Sequence, residues 1–322
     1  MAVADRSLPP SPSHRGPAPL RRTAPGPLTP TALSIGELQH QLFPELIDDP
    51  SPVGFVTRLI VATTLPHSKP ADNEFVRNTG LYDLCLLAPR SVGLPYGRYP
   101  RLALIWMVTE AVRRRTPLLL PGPTFSSFAF RIGLTPSTGP RGTLVQLRDQ
   151  LLRLVNLTIS CVGHPGTASQ HGLLPAFRGG GVRLAKTYLL WGDDPPPSPD
   201  NPSYILLSQD FYEEVLAHPI PLVLDVVKGF RSPLEMDVYM WLTYRSLRAS
   251  RIERPEPISW EALHRQFGAD YAQVRMFRYH FLHAVKNVLK VYPAVRLRST
   301  RRSLILFPYP PHVGRALRSK ER

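Results

Sequence analysis

Between Tyr271 and Val291, the residues Gln273, Arg275, Tyr279, His280, His283, Lys286, Asn287 and Lys290 recur at spacings that share one arc of a helix. Val274, Phe277, Phe281, Val285 and Val288 fall on the opposite arc and are expected to face a core. Guanidinium, phenol, imidazole and amide groups arrayed in this way can reach base edges and phosphates from a helix lying in a major groove. Arg278 falls at the flank, within reach of a phosphate. Lys286 and Lys290 have a competing structural reason, because cations near a helix C-terminus complement its dipole. Just downstream, Arg298, Arg301 and Arg302 surround a turn between two short strands expected over 295–298 and 304–307.

A second helical pattern, over 141–156, is less specific. Leu144, Leu147, Leu151, Leu154 and Val155 make its apolar face. Gln146, Asp149, Gln150, Arg153 and Asn156 are expected on the exposed arc, with Arg141 ahead of it and Arg148 at its flank. Such a face suits DNA or a protein partner equally. His164 and His171 follow without further ligands nearby and read as solvated loop residues rather than a metal site. Catalytic groupings are missing from the sequence. The glycine run Gly179 to Gly181 lacks the lysine and helix of a phosphate loop, and Asp193-Asp194 sits in a Pro-rich turn. The expectation is a non-enzyme with no catalytic residue, no metal and no cofactor.

The elements that must position these groups follow a regular order. Helices are expected over 99–115, 125–132 (capped by Thr124, ended by Gly133) and 141–156, then strands over 157–162 and 182–191 flanking a Gly-containing loop. After the stiff connector Pro195 to Pro199, a strand (204–207) and a helix (209–217) precede helices over 233–247, 260–267 and 271–291. Ser259 and Gly268 punctuate the middle one. Three helices followed by a two-stranded hairpin, twice over, suggest a duplicated unit, and each copy reads as a winged helix. The fold class expected is therefore α+β, mainly helical: two tandem winged-helix domains after a disordered Pro-rich N-terminus. The divisions are 1–70 (flexible, with a short amphipathic helix over 33–46), 75–218, 219–310 (the main DNA-binding domain) and a basic tail, 311–322.

Charge points the same way. The 322-residue chain carries 39 Lys and Arg against 24 Asp and Glu, a formal net charge of +15. Residues 228–322 hold 19 of the basic and 7 of the acidic groups, so +12 of that charge lies in the last 95 residues. Six of the basic residues are lysine and the rest arginine, which suits bidentate contact with phosphate and guanine. No apolar run approaches the roughly 18 residues of a membrane span, the best, Leu102 to Val108, being followed by Glu110 and Arg113. With no secretory signal and only Cys85 and Cys161, the reading is a bacterial cytoplasmic protein.

Four blocks resemble the RepA family of plasmid replication initiators: Gly93 to Val112 (GLPYGRYPRLALIWMVTEAV), Ser232 to Tyr244 (SPLEMDVYMWLTY), Trp260 to Gly268 (WEALHRQFG), and Tyr271 to Pro293. The resemblance spans roughly residues 75–308. It implies two tandem winged helices that bind directly repeated double-stranded origin sequences (iterons), open the origin with the host initiator, recruit the host replicative helicase, and repress their own gene. It further implies that the C-terminal winged helix makes the main base contacts, through Arg275, Arg278, Tyr279, His283 and Lys286 with the wing arginines. The N-terminal one would add DNA contacts and mediate homodimerisation. Rival readings are a winged-helix transcriptional repressor without a replication role, and a relaxase or recombinase working through a tyrosine such as Tyr279.

Overall fold

The computed structural model describes residues 52–78, 82–163, 180–191, 202–252 and 254–313. The Pro-rich start, the helix expected over 33–46, the loop carrying His164 and His171, the connector at 195–199 and residues 314–322 of the tail lie outside the described residues. The architecture is α+β, with helices packed on small antiparallel sheets.

Strand β1 (Val53–Thr57) runs into helix α1 (Arg58–Thr63), whose six residues are all buried. Thr57 caps that helix by accepting the Ile60 N–H. Residues 53–65, expected to belong to a flexible segment over 1–70, are instead folded, because Val56, Leu59 and Leu65 belong to the core. β1 pairs with β9 (Pro219–Val223), with Val53 opposite Val223 and Thr57 opposite Pro219. Two prolines are tolerated in β9 because a two-stranded ribbon leaves each strand one unpaired edge. The Phe55 N–H, opposite Pro221, instead reaches Thr109 Oγ1 at 2.9 Å.

A four-stranded sheet follows, β2 (Glu74–Asn78), β3 (Tyr82–Leu87), β5 (Thr158–Gly163) and β6 (Gly180–Arg183), in that order. Helices α2 (Arg98–Arg114), α3 (Phe125–Arg131) and α4 (Thr143–Val155) intervene in sequence between β3 and β5. α2 is buried on every side from Pro100 to Ala111, as a central helix must be when apolar residues occupy its whole circumference. A smaller sheet joins β4 (Leu118–Leu119), β8 (Tyr204–Leu207) and β7 (Ala185–Leu189), with β8 in the middle. The strand expected over 182–191 thus divides at Leu184, whose N–H bonds Leu157 in one sheet while its carbonyl accepts the Ser208 N–H beside the other. Ser208 then caps helix α5 (Gln209–Ala217).

After β9 come α6 (Leu224–Gly229), α7 (Pro233–Ile252), β10 (Glu256–Ser259), α8 (Trp260–Phe267), α9 (Val274–Val291), β11 (Leu297–Ser299) and β12 (Ser303–Leu306). β12 lies between β10 and β11. Trp241 of α7, Phe267 of α8, and Phe277 and Phe281 of α9 form one aromatic cluster, with ring centroids 5.3–6.1 Å apart. Burying each such ring contributes about 1.5–3 kcal/mol, which fixes the rotation of α9 about its axis. The segment before β9 and the segment after it are clamped by Arg101 of α2. This side chain, 2 % exposed, donates to both carboxylate oxygens of Asp237 on α7. Among the described residues no helix is long and apolar enough to cross a membrane.

Candidate nucleic-acid interface

Helix α9 starts at Val274 rather than at Tyr271. Gly268 closes α8, and the Tyr271 N–H bonds the Gly268 carbonyl in a turn, while Gln273 is still extended. The turn is tight: a Cβ on Gly268 would lie 2.7 Å from the His264 carbonyl oxygen and 2.4 Å from its ring. His264 Nε2 in turn lies 2.8 Å from the Tyr271 carbonyl oxygen, so the α8–α9 angle is set by the close Gly268 turn and by this side-chain contact to the backbone.

With Phe277, Phe281, Ala284, Val285 and Val288 buried, the opposite face of α9 is turned to solvent. Arg275, Tyr279, His280, His283, Lys286 and Lys290 are exposed there. Three of the expected groups are engaged with the protein itself. Asn287 donates to Glu235 Oε1 of α7 at 2.6 Å and accepts from Lys290 Nζ at 2.9 Å, so it braces α9 rather than projecting freely. His280 stacks on Tyr271 at 5.2 Å. Arg278 lies over the Trp260 ring, 5.0 Å from its centroid, with its nitrogens turned toward the Arg301 carbonyl and Ser299 Oγ. Met276, absent from the sequence expectation, stands on the outward face and is 49 % exposed. Its position between Arg275 and Phe277 is the signal that could have found it.

The β11–β12 hairpin stands beside this helix. Arg298, Arg301 and Arg302 are all exposed on it. Its turn is built by Thr300, whose hydroxyl accepts the Ser303 N–H at 3.0 Å and whose N–H donates to the Ser303 carbonyl at 2.8 Å. Buried Trp260 locks the turn to α8: its indole N–H donates to the Thr300 carbonyl at 3.0 Å, and its backbone N–H to the Arg302 carbonyl at 3.2 Å. The helix face and the hairpin arginines are thus held on one rigid frame.

Around α4 the site residues separate. Arg141 and Arg148 are exposed. Arg153, expected on the exposed arc, is a brace. Its side chain is only 15 % exposed, bonds Asp149 Oδ2 at 2.8 Å and the Leu94 carbonyl at 3.3 Å, and lies over Tyr96. Gln150 is buried, not exposed, and its Oε1 accepts the Tyr96 N–H at 2.8 Å. Both corrections have one cause: the loop ahead of α2 folds over this side of α4, which helical periodicity alone does not register. Asn156 also turns inward, donating to the Tyr188 hydroxyl at 2.8 Å. Among the described residues no group of three His, Cys, Asp or Glu side chains is placed to hold a metal ion.

Comparison with known proteins adds a family. The family model described as plasmid encoded RepA protein matches residues 94–262, just over half of the chain. Two crystal structures of domains 2 and 3 of RctB are similar at 13 % identity. One has a TM-score of 0.46 and covers 78 % of this chain and 96 % of that one. The other has a TM-score of 0.44, covering 77 % and 96 %. No curated protein matches the sequence.

Proposed function

The chain belongs to the plasmid-encoded RepA protein family, with a role in the initiation of plasmid replication, and from that premise we propose that it is a non-enzymatic, sequence-specific binder of directly repeated double-stranded origin sequences. The observation that carries this reading is the single frame that presents the outward face of α9 next to the three hairpin arginines. A helix of α9's 18 residues fits lengthwise in a major groove, and a hairpin beside it reaches the adjacent backbone. The helix–strand–helix–helix–hairpin order from α7 to β12 supports a winged-helix reading of this part.

In this reading Arg298, Arg301, Arg302 and Lys286 meet phosphates, and each neutralised phosphate steepens the log–log salt dependence by about 0.9. Arg275, Tyr279 and His283 face base edges, and Arg278, held over Trp260 at the flank, lies toward the backbone. Arg141 and Arg148 supply a subsidiary contact from α4; two helices in successive major grooves on one side of the duplex correspond to a repeat of roughly 20 bp. Arg153 leaves the interface. Origin opening would come from strain in adjacent A·T-rich DNA, together with the host initiator and the host replicative helicase, in the bacterial cytoplasm. A homodimer and repression of its own gene complete the proposal.

The test is genetic and physical at once. A minimal plasmid carrying this gene and its flanking direct repeats should be maintained, and deletion of the repeats should abolish both maintenance and binding by the purified chain. Maintenance that survives loss of every bound repeat refutes the reading.

A further inference from the structure

The outward face of α9 is not uniformly cationic. Directly opposite the buried line of Phe277, Phe281 and Val288 stand Tyr279 and His283, with Met276 one turn toward the N-terminus. Tyr279 and Met276 are 67 % and 49 % exposed. The cations surround this end of the face: Arg275 beside it, Lys286 and Lys290 on the same arc toward the C-terminus of α9, and Arg298, Arg301 and Arg302 on the hairpin. The Tyr279 ring meets the edge of His280 at 5.2 Å, and His280 is stacked on Tyr271, so the phenol is held by a chain of rings rather than left to sweep solvent.

An apolar patch of Met276 and Tyr279 with a cationic surround has the polarity of one ligand surface. Across the floor of the major groove the only apolar group is the thymine 5-methyl, and it is bordered on both sides by phosphates. A neutral protein partner would cover Met276 and Tyr279 but leave the surrounding arginines without counter-charge. We infer that Met276 and Tyr279 read thymine methyl groups, making them determinants of sequence specificity. The inference rests on the proposed DNA-binding function and adds what that function leaves open, namely which base the centre of the helix selects.

The experiment uses the full chain. A duplex is selected from a random-sequence library by binding, then resynthesised with each thymine replaced singly by deoxyuridine, which removes only the 5-methyl. At one or two positions the replacement should weaken binding about fourfold, the equivalent of about 0.8 kcal/mol for one buried methyl. At each such position the penalty should vanish in Met276→Ala or in Tyr279→Ala. Both side chains are exposed, so the variants should melt with the wild type; Met276→Gln keeps the side-chain length and should lose the methyl response while leaving packing intact. A selected duplex that binds equally well with uracil at every position overturns the inference and spares the DNA-binding reading. Persistence of the uracil penalty in both alanine variants overturns it as well. Failure to select any duplex removes the proposed function and this inference together.

Discussion

Replacing Asp237 by asparagine should destabilise the protein more than any single change on its surface. The five N–H groups of Arg101 make five bonds. Nε and one Nη2 hydrogen go to Asp237 at 2.8 and 2.7 Å, and the others reach the carbonyls of Leu65 (2.5 Å), Gly97 (2.7 Å) and Pro66 (3.2 Å). His67 Nε2 lies 2.8 Å from the second Asp237 oxygen. Asp237→Asn keeps the shape and removes the carboxylate paired with a guanidinium that is 2 % exposed. Breaking a buried pair in this way costs about 3–5 kcal/mol. Arg101→Met should cost a similar amount, since it abandons three carbonyls and a carboxylate. The double variant Arg101→Met, Asp237→Leu should lose much less than the two single losses added, because apolar residues can fill a site that no longer holds charge. Urea unfolding of the four proteins completes the cycle. Burial pushes the Asp237 carboxyl up, but Arg101 and then the hydrogen bonds from Arg101 and His67 outweigh it and hold the group below its ordinary value. Its contribution is therefore present above about pH 4, the usual carboxylate range, and is lost as pH falls through the lower folded value. The difference between wild type and Asp237→Asn should shrink below that pH. A loss under 1 kcal/mol at neutral pH, or strictly additive single losses, would refute the account of Arg101 and Asp237 as one coupled unit.

The remaining predictions separate bracing from binding. Arg301→Ala should weaken binding to all DNA sequences and flatten the log–log salt slope by about 0.9, read by anisotropy titrations at several salt concentrations. Arg153→Ala should leave that slope unchanged and lower stability by about 1 kcal/mol, since it loses a partly exposed ion pair and one carbonyl bond. Gly268→Ala should cost about 1–3 kcal/mol through overpacking against His264, and should weaken DNA binding by tilting α9; unchanged melting would show that the turn can yield.

Local signals made part of this structure legible. Thr124, Ser208 and Ser259 cap their helices by accepting N–H groups three residues on, and α5 and α8 have the bounds that caps and apolar spacing foretell. The rest depends on distance along the chain. Pro219 and Pro221 are residues a strand interior disfavours, yet they lie in a strand because residues 53–57, over 160 positions earlier, supply its partner. β2 carries no legible strand signal because burial alternates along it against polarity, with Val76 exposed and Arg77 buried. Arg101 sits in an apolar helix whose pattern says only that something at that position must be satisfied; the satisfying residues, Leu65 and Asp237, are 36 and 136 positions away. Side-chain engagement at the site was illegible for the same reason. Asn287 and Arg153 are polar residues on plausible outer arcs, and only the approach of α7 and of the loop before α2 removes them from solvent.

A basic composition consequently overstates the groups free to meet phosphate. Arg58 is paired with buried Glu214, Arg245 with Glu256, and Arg101 with Asp237. Arg77 lies over the Phe75 ring, its nitrogens without hydrogen bonds, and burial draws its pKa down to about 10 against the opposing pull of Asp237. Arg153 and Arg278 spend their planar faces on Tyr96 and Trp260. Guanidinium is favoured in all these places because it can satisfy several acceptors or an aromatic face at once, a structural use independent of any ligand. Net charge adds these residues to the total as if each faced solvent. In the proposed function the phosphate-facing set is selected instead by rigid presentation: Arg298, Arg301 and Arg302 qualify because Trp260 and Thr300 fix the hairpin while their own side chains stay exposed. A Trp260 substitution should therefore weaken DNA binding as surely as loss of an arginine, although Trp260 itself is buried.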